Sequence, residues 1–446
     1  MSERRRDARR AGQSVRLVAI GQVLLNAVLL VAGAWLYHSG LRIASFLFVL
    51  VPLAFIPFSY ARVRLQRLIE AHLASSLLWP ATVIGLLFDA VMLAQMLSAR
   101  ELHQPAILYA RGVMWIGTVW FSAHALLLLG FACAGLGRVV SWPFRYARSR
   151  ARPATIDVAE IGIGRRELLQ KAGLLGAAVP FGVSLSGVSL SYDFRVERRE
   201  ITLPSWPQAL DGLRVVHLSD IHVGGAMDGP RLRRVAALVN QCRPDLVAHT
   251  GDFLTHRAGD FDEPLYEALA RIRAPYGQWA CLGNHDFDDP ERLERRLRES
   301  GVTLLRDRVA TVALRGEPVE IAGIDFQFDR GERAALMRQT IESWGPRRAT
   351  ARILLNHDPT TFSGLPDDCA ELVLSGHTHG GHIGIQLDSS HAITLVGLAG
   401  IPDQGLFTRG DMRMYVTRCV GFYGYPMRIG IPPEIALLIL RSPRNV

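Results

Sequence analysis

Cysteine is scarce in this 446-residue chain: five residues, at positions 133, 242, 281, 369 and 419, odd in number and widely separated. That distribution excludes a disulfide framework and a Cys-x-x-Cys zinc site. Charge is also sparse. Only 20% of residues are charged, 49% are hydrophobic, and mean hydropathy is +0.17. Such a chain is neither intrinsically disordered nor collagen-like. No internal repeat, low-complexity tract or serine nucleophile elbow is present. One hydrophobic core stops growing near 250–300 residues, so the length calls for at least two units.

The apolar excess lies near the N-terminus. Leu17–Tyr37, Ile43–Ala61 and Gly112–Gly137 carry no charge, and Leu73–Ala99 is interrupted only by Asp89. About 20 apolar residues span a bilayer as a helix, so residues 1–137 read as an all-α region of four transmembrane helices. Asp89 reads either as an intramembrane carboxylate with chemistry or as a helix-packing residue. Residues 1–16, 62–72 and 138–171 carry 17 Lys or Arg, against three in 38–42 and 98–111. This bias places the N-terminus and the basic linker in the cytoplasm.

The linker, 138–193, contains Arg165-Arg166-Glu167-Leu168-Leu169 before the uncharged stretch Ala172–Tyr192. It resembles a twin-arginine export signal, with Gly164 in place of the usual Ser or Thr and Leu in place of Phe. If Ala172–Tyr192 spans as a fifth helix, residues 194–446 are extracytoplasmic; if it lies on the surface, they stay inside.

From Phe194 onward, short apolar runs alternate with amphipathic segments. Strands are expected at Leu213–Leu218, Asp245–His249, Gln278–Leu282, Val319–Ile324, Ile353–Leu355 and Leu372–Leu374. Helices are expected at Gly229–Asn240, Pro264–Ile272 and Pro290–Glu299, giving an α/β unit. Metal-ligating residue types fall just past the strand ends: Asp220-Ile221-His222, Gly251-Asp252, Gly283-Asn284-His285-Asp286, His357, and Gly376-His377-Thr378-His379-Gly380-Gly381. Ligands gather outside the carboxyl ends of strands in such folds. D-x-H and H-x-H place both side chains on one side of an extended backbone. Imidazoles with carboxylates and an amide suit Mn, Fe, Zn or Ni. Seven such residues exceed the needs of one ion and point to a two-metal site.

These ordered motifs resemble the calcineurin-like metallophosphoesterase family over roughly residues 210–440, particularly its membrane-associated bacterial branch. The resemblance implies a two-sheet sandwich flanked by helices. It implies Asp220, His222, Asp252 and His379 around one divalent ion, and Asn284, His357, His377 and the shared Asp252 around a second. His285 would be the catalytic imidazole. His382 stands where similar sequences often carry Gln, which leaves its role open, with substrate contact as the candidate role. Attack on phosphorus would come from a water or hydroxide held by both ions. Cys419 stands where the family often has Gly, which leaves the backbone geometry there open.

His217 and His249 lie within strands and read as core or supporting residues. His256 and His391 read as ordinary loop residues, Cys281 as packing, and Asp286 as an orienting or capping group. Together these features lead to the expectation of a membrane-anchored phosphodiesterase or pyrophosphatase of the inner membrane, with the bilayer and a phosphorylated, possibly lipid-linked substrate as partners. A UDP-2,3-diacylglucosamine-type pyrophosphatase and a non-catalytic sensor are the alternatives. No nucleic-acid partner is expected. Residues 1–171 carry 20 basic and 8 acidic groups, whereas 172–446 carry 30 and 33, so the basic excess is confined to the membrane region.

Overall fold

The computed structural model describes residues 15–24, 27, 59–70, 75–98, 111–150, 165–224, 227–255, 262–329, 331–346, 349, 351–388, 391–422 and 427–443. The chain divides into two compact units, Met1–Leu102 with Gly112–Leu185, and His103–Arg111 with Ser186–Val446.

The described part of the first unit is helical: residues 15–24 and 59–70, α1 (Ser75–Ser98), α2 (Arg111–Arg150), and most of α3 (Arg165–Leu190), which runs on into the second unit. Thr118–Trp142, 25 residues within α2, is long and apolar enough to cross a membrane; Val15–Leu24, Leu77–Asp89 and Gly176–Leu190 are shorter apolar stretches. The expected spans Leu17–Tyr37 and Ile43–Ala61 fall largely outside the described residues. The His256 reading falls outside them entirely.

Polarity in this unit runs from inside to outside. Leu87, Leu129, Leu136, Val139 and Trp142 are exposed, whereas Gln22, Arg62, Gln66, Thr82 and Asp89 are buried. Asp89 accepts from Arg62 Nε at 3.1 Å, Trp120 Nε1 at 2.8 Å and Gln22 Nε2 at 3.2 Å. Arg62 NH1 donates to Gln66 Oε1 at 3.1 Å, and Gln66 Nε2 donates to Thr82 at 2.9 Å. Arg62 was expected as one of the cytoplasmic loop charges. It instead lies within helical residues 59–70, fully buried, because Asp89 supplies its counter-charge.

The second unit is built on two six-stranded sheets. One has the order β1-β14-β2-β3-β4-β5, comprising Arg195–Thr202, Glu434–Arg441, Leu213–Leu218, Leu246–Thr250, Gln278–Cys281 and Val302–Leu304. The other has the order β12-β13-β9-β8-β7-β6, comprising Gly405–Arg409, Met412–Val416, Leu372–Ser375, Ala351–Asn356, Glu317–Ile324 and Arg308–Leu314. A short hairpin pairs β10 (Gly384–Gln386) with β11 (Ala392–Thr394), and α8 (Leu395–Leu398) follows it directly.

Side-chain alternation explains the layering. Leu213, Val215, Leu246 and Ala248 point to a core shared with Ile321, Ile353, Leu355 and Leu372 of the other sheet. Val216, Leu218 and Val247 point the opposite way. There they meet α4 (Gly229–Gln241), α5 (Glu263–Leu269) and α6 (Pro290–Glu299). Helix α4 presents Leu232, Val235, Ala236 and Val239, the spacing of one helical face. Asp228 and Asp289 cap α4 and α6 by accepting from Arg231 N and Arg292 N. On the far side, α7 (Arg333–Ser343) packs Met337 and Ile341 against Ala322, Leu354 and Val373. Two sheets between helical layers form the α/β sandwich expected for this unit.

Candidate metal centre

Strands β2, β3 and β4 are parallel neighbours in one sheet, and β8 and β9 are parallel neighbours in the other. Parallel strands deliver their C-terminal loops to the same edge, and each candidate ligand sits in one of those loops. The loops are laced by backbone bonds: Asp220 N to Gly251 O at 2.9 Å, His222 N to Asp252 O at 3.0 Å, and Gly376 N to His357 O at 3.0 Å.

All seven predicted ligands come together. Asp220 Oδ1 lies 3.1 Å from His379 Nε2 and 3.8 Å from His222 Nε2. Asp252 Oδ2 lies 3.6 Å from His222 Nε2 and 3.3 Å from His357 Nε2. His357 Nε2 is 3.2 Å from Asn284 Oδ1 and 3.1 Å from His377 Nδ1. Asp252 is therefore common to two groups that could each hold an ion, Asp220–His222–Asp252 and Asp252–His357–His377.

The orientation of these groups fits metal binding. His357 Nδ1 contacts Thr250 O at 2.6 Å, and His222 Nδ1 contacts Leu254 O at 3.2 Å. A ring that donates from Nδ1 to a carbonyl presents the Nε2 lone pair to the centre. Asp220 Oδ2 accepts from Ser219 Oγ at 2.5 Å and from His377 N at 2.9 Å, which leaves buried Asp220 Oδ1 facing the His222 and His379 rings. Asp220, His222, Asp252, His377 and His379 all have φ between 49° and 67°, a region L-residues occupy at a cost.

The electrostatics calls for positive charge. Burial disfavours a charged His357, but Asp252 and Asp220 outweigh it and raise the imidazole to about 10. Burial likewise opposes ionisation of Asp220, yet His379 and His357 hold it well below the usual carboxylate range. Asp286 is pushed up to about 7 by burial and by Asp252.

His285 is half-buried, its ring 5.2 Å from that of His222, and its N–H donates to Asp252 Oδ1 at 2.8 Å. Burial lowers its imidazole below the ordinary value. His382 packs edge-on to His379 with ring centroids 4.8 Å apart. The remaining histidines lie in other surroundings. His217 contacts Thr250 Oγ1 at 2.8 Å and His249 contacts Gln278 Oε1 at 3.1 Å, both inside the sheet, while exposed His391 pairs with Asp388.

Of four supporting residues, Asp286 was read from sequence as an orienting or capping group, and Cys419, Arg428 and Phe326 were not assigned their role. The Asp286 carboxylate accepts from the N–H groups of Asp252 (2.7 Å), Gly283 (2.9 Å) and Phe253 (3.0 Å), tying the β3 and β4 loops together. The Cys419 thiol donates to Asp220 Oδ2 at 3.0 Å from a residue at φ 66°. That left-handed backbone accounts for glycine at this position in similar sequences. Fully buried Arg428 donates to the carbonyls of His379 (3.1 Å), Arg418 (2.8 Å) and Gly421 (2.7 Å), clamping two loops. Phe326, just past β7, stands 5.9 Å and 5.7 Å from the rings of His357 and His377. Its position after a strand end, like that of the ligands, was the available signal.

Imidazoles, carboxylates and one amide thus gather at one edge of an α/β sandwich, a donor set that could hold divalent metal ions. Residues 213–381 match the model of the calcineurin-like phosphoesterase family, and the metallophosphoesterase relatives point to a metal-dependent phosphoric ester hydrolase. The metallophosphoesterase YkuE of Bacillus subtilis is 28% identical over 293 residues, covering 63% of this chain and 98% of its own length. A transmembrane protein with metallophosphoesterase domain from Danio rerio is 28% identical over 340 residues, covering 72% and 74%. The UDP-2,3-diacylglucosamine pyrophosphatase LpxG of Chlamydia trachomatis is 26% identical over 303 residues, covering 55% and 88%.

Proposed function

We propose that this protein is a membrane-anchored, two-metal phosphodiesterase or pyrophosphatase acting on a lipid-linked phosphate. Asp252, shared by the two ligand groups, is the observation that carries the reading. In it, Asp220, His222, Asp252 and His379 hold one divalent ion, and Asp252, Asn284, His357 and His377 hold the other. Bound ions of this kind polarise phosphoryl oxygens and acidify water. His285, the imidazole left over in the motif series, would in its protonated form give a proton to the departing oxygen. Its main-chain bond to Asp252 fixes it beside the ligands. His382 contacts substrate. The donor set accepts Mn, Fe, Zn or Ni.

Anchoring assigns 1–137 to transmembrane helices, 138–193 to a basic linker and 194–446 to the catalytic domain. The buried Arg62–Asp89 pair under an exposed apolar surface supports it, since that is the polarity a lipid solvent favours. The excess of Lys and Arg in 1–16, 62–72 and 138–171 supports an inner-membrane, multi-pass topology with the catalytic domain outside the cytoplasm. The likeness to LpxG supports a second, narrower reading, cleavage of a UDP-diacylglucosamine-type pyrophosphate.

The test is a screen of the purified full chain, loaded with each ion in turn, against lipid-linked pyrophosphates, phosphodiesters and monoesters. Turnover of lipid-linked pyrophosphates or diesters above monoesters is expected. Absence of turnover with every ion would refute the reading.

A further inference from the structure

The loop bearing His377 and His379 continues directly into β10, β11 and α8. Gly381 packs against the Thr394 and Val396 side chains, and Thr378 Oγ1 donates to Asp403 O at 2.9 Å. Thr394 in turn bonds the Asp403 carboxylate, drawing it inward. Beside the exposed Asp388–His391 pair at the hairpin turn, this segment turns six aliphatic side chains outward: Ile385, Leu387, Ile393, Leu395, Leu398 and Ile401, Leu395 at 66% and Leu398 at 74%. Single exposed leucines are ordinary on soluble proteins, but a run of six on one short segment is not.

Resting on the membrane-anchored reading above, we propose that this hairpin face seats the catalytic unit in the acyl layer of the bilayer, beside the His377–His382 loop. Two observations choose the bilayer over a protein partner. Residues 383–406 contain no Trp, Tyr, Phe, Met or Arg, the types enriched at protein interfaces, and Ala392–Pro402 contains no charge at all. An aliphatic face matches fluid acyl chains, which need no shaped pocket. The same chain also carries the apolar helix Thr118–Trp142, so a bilayer holding that helix is present at high effective concentration. Docking there would bring a phosphate at the lipid headgroup level to the metal-ligand edge without extracting the lipid.

The experiment uses the full chain in vesicles of phosphatidylethanolamine and phosphatidylglycerol, with Cys133, the one exposed cysteine among the described residues, replaced by Ser. A nitroxide is attached to Leu398→Cys and, as an aqueous reference, to Arg298→Cys on α6. Expected is a Leu398 label relaxed by oxygen and shielded from a water-soluble nickel chelate, with the Arg298 label the reverse. Equal chelate access at both positions overturns the proposal. Dipolar broadening between labels on two copies assigns the face to self-association and overturns it too. Turnover of bis(p-nitrophenyl) phosphate is followed in parallel. Its absence, with the Leu398 label in lipid, would refute the catalytic reading while leaving the docking face standing.

Discussion

Replacing Asp252 by Asn tests the shared-ligand geometry with little change in shape. Asn keeps an oxygen to accept the His285 N–H, now at 2.8 Å from Asp252 Oδ1, so the β3–β4 loop contact survives. What disappears is one of the two carboxylate charges that face His222 and His357. Unit charges about 4 Å apart interact by ~4 kcal/mol at an effective dielectric near 20. A divalent ion doubles the attraction, while the retained amide oxygen and the lower desolvation cost of a neutral ligand offset part of it. A net loss of ~4 kcal/mol corresponds to roughly 10³-fold weaker metal binding. The assay is chelator competition read by elemental analysis, for both ions, with turnover of an aryl phosphodiester alongside. In chelator-stripped protein, the His357 imidazole should also fall from about 10 toward the ordinary value, read by proton NMR of its ring. Unchanged metal affinity with full turnover would refute the bridging assignment. Loss of one ion with the other bound normally would refute the sharing.

His285→Ala should lower turnover by 10²–10⁴ with both ions retained, separating proton transfer from metal binding in a single metal-and-rate measurement. Gly283→Ala should abolish metal binding and destabilise the second unit by about 3 kcal/mol, because the new Cβ would fall on the Asp252 carboxylate and backbone N; thermal unfolding reads this. Arg62→Leu should cost the first unit roughly 3–5 kcal/mol by stranding the Asp89 carboxylate, and adding Asp89→Leu should restore most of it, read as melting temperature in detergent. Burial holds His249 at about 4 against an unfolded value of 6.5, so its contribution is intact above pH 6.5 and lost as pH falls toward 4. His249→Gln should therefore flatten the pH dependence of stability by ~1.4 kcal/mol per unit across that window, measured by amide exchange in β2 and β3.

The strands most legible in the sequence were those whose ends carry chemistry. Strand β2 was expected at Leu213–Leu218 and lies there, bounded by Gly212 and Ser219. Helix α6, expected at Pro290–Glu299, is bracketed by the Asp289 cap and Gly301. Strand β14 was not read, although seven of its eight residues are buried apolar or carboxylate positions. Its place depends on pairing with β1 on one side and β2 on the other, partners more than 200 residues away, and no local pattern encodes that. Helix α7 went unread because only Met337 and Ile341 face the core, too few to set a period. In the metal centre, ligands advertise themselves by residue type, whereas their supports do not. Cys419 reaches Asp220 across 199 positions, and Arg428 acts through carbonyls that belong to residues of any type.

The two units apply one rule of burial with opposite signs. In the second, Leu213, Val215 and Ile353 are withdrawn from the surface and the polar ligands cluster at an open sheet edge. In the first, Arg62, Gln66, Thr82 and Asp89 are withdrawn, while Leu87, Leu129 and Leu136 face outward. Hydropathy averaged along the chain treats Asp89 as an interruption and Arg62 as a loop charge. Neither description survives their pairing. A lone buried carboxylate or guanidinium in an apolar surround is costly, but the pair neutralises itself, with Trp120 and Gln22 donating to the carboxylate and Gln66 accepting from the guanidinium. Charge in such a unit must therefore be counted after pairing. With Arg62 set aside, 16 Lys or Arg in 1–16, 62–72 and 138–171 still face three, the count on which the proposed orientation rests.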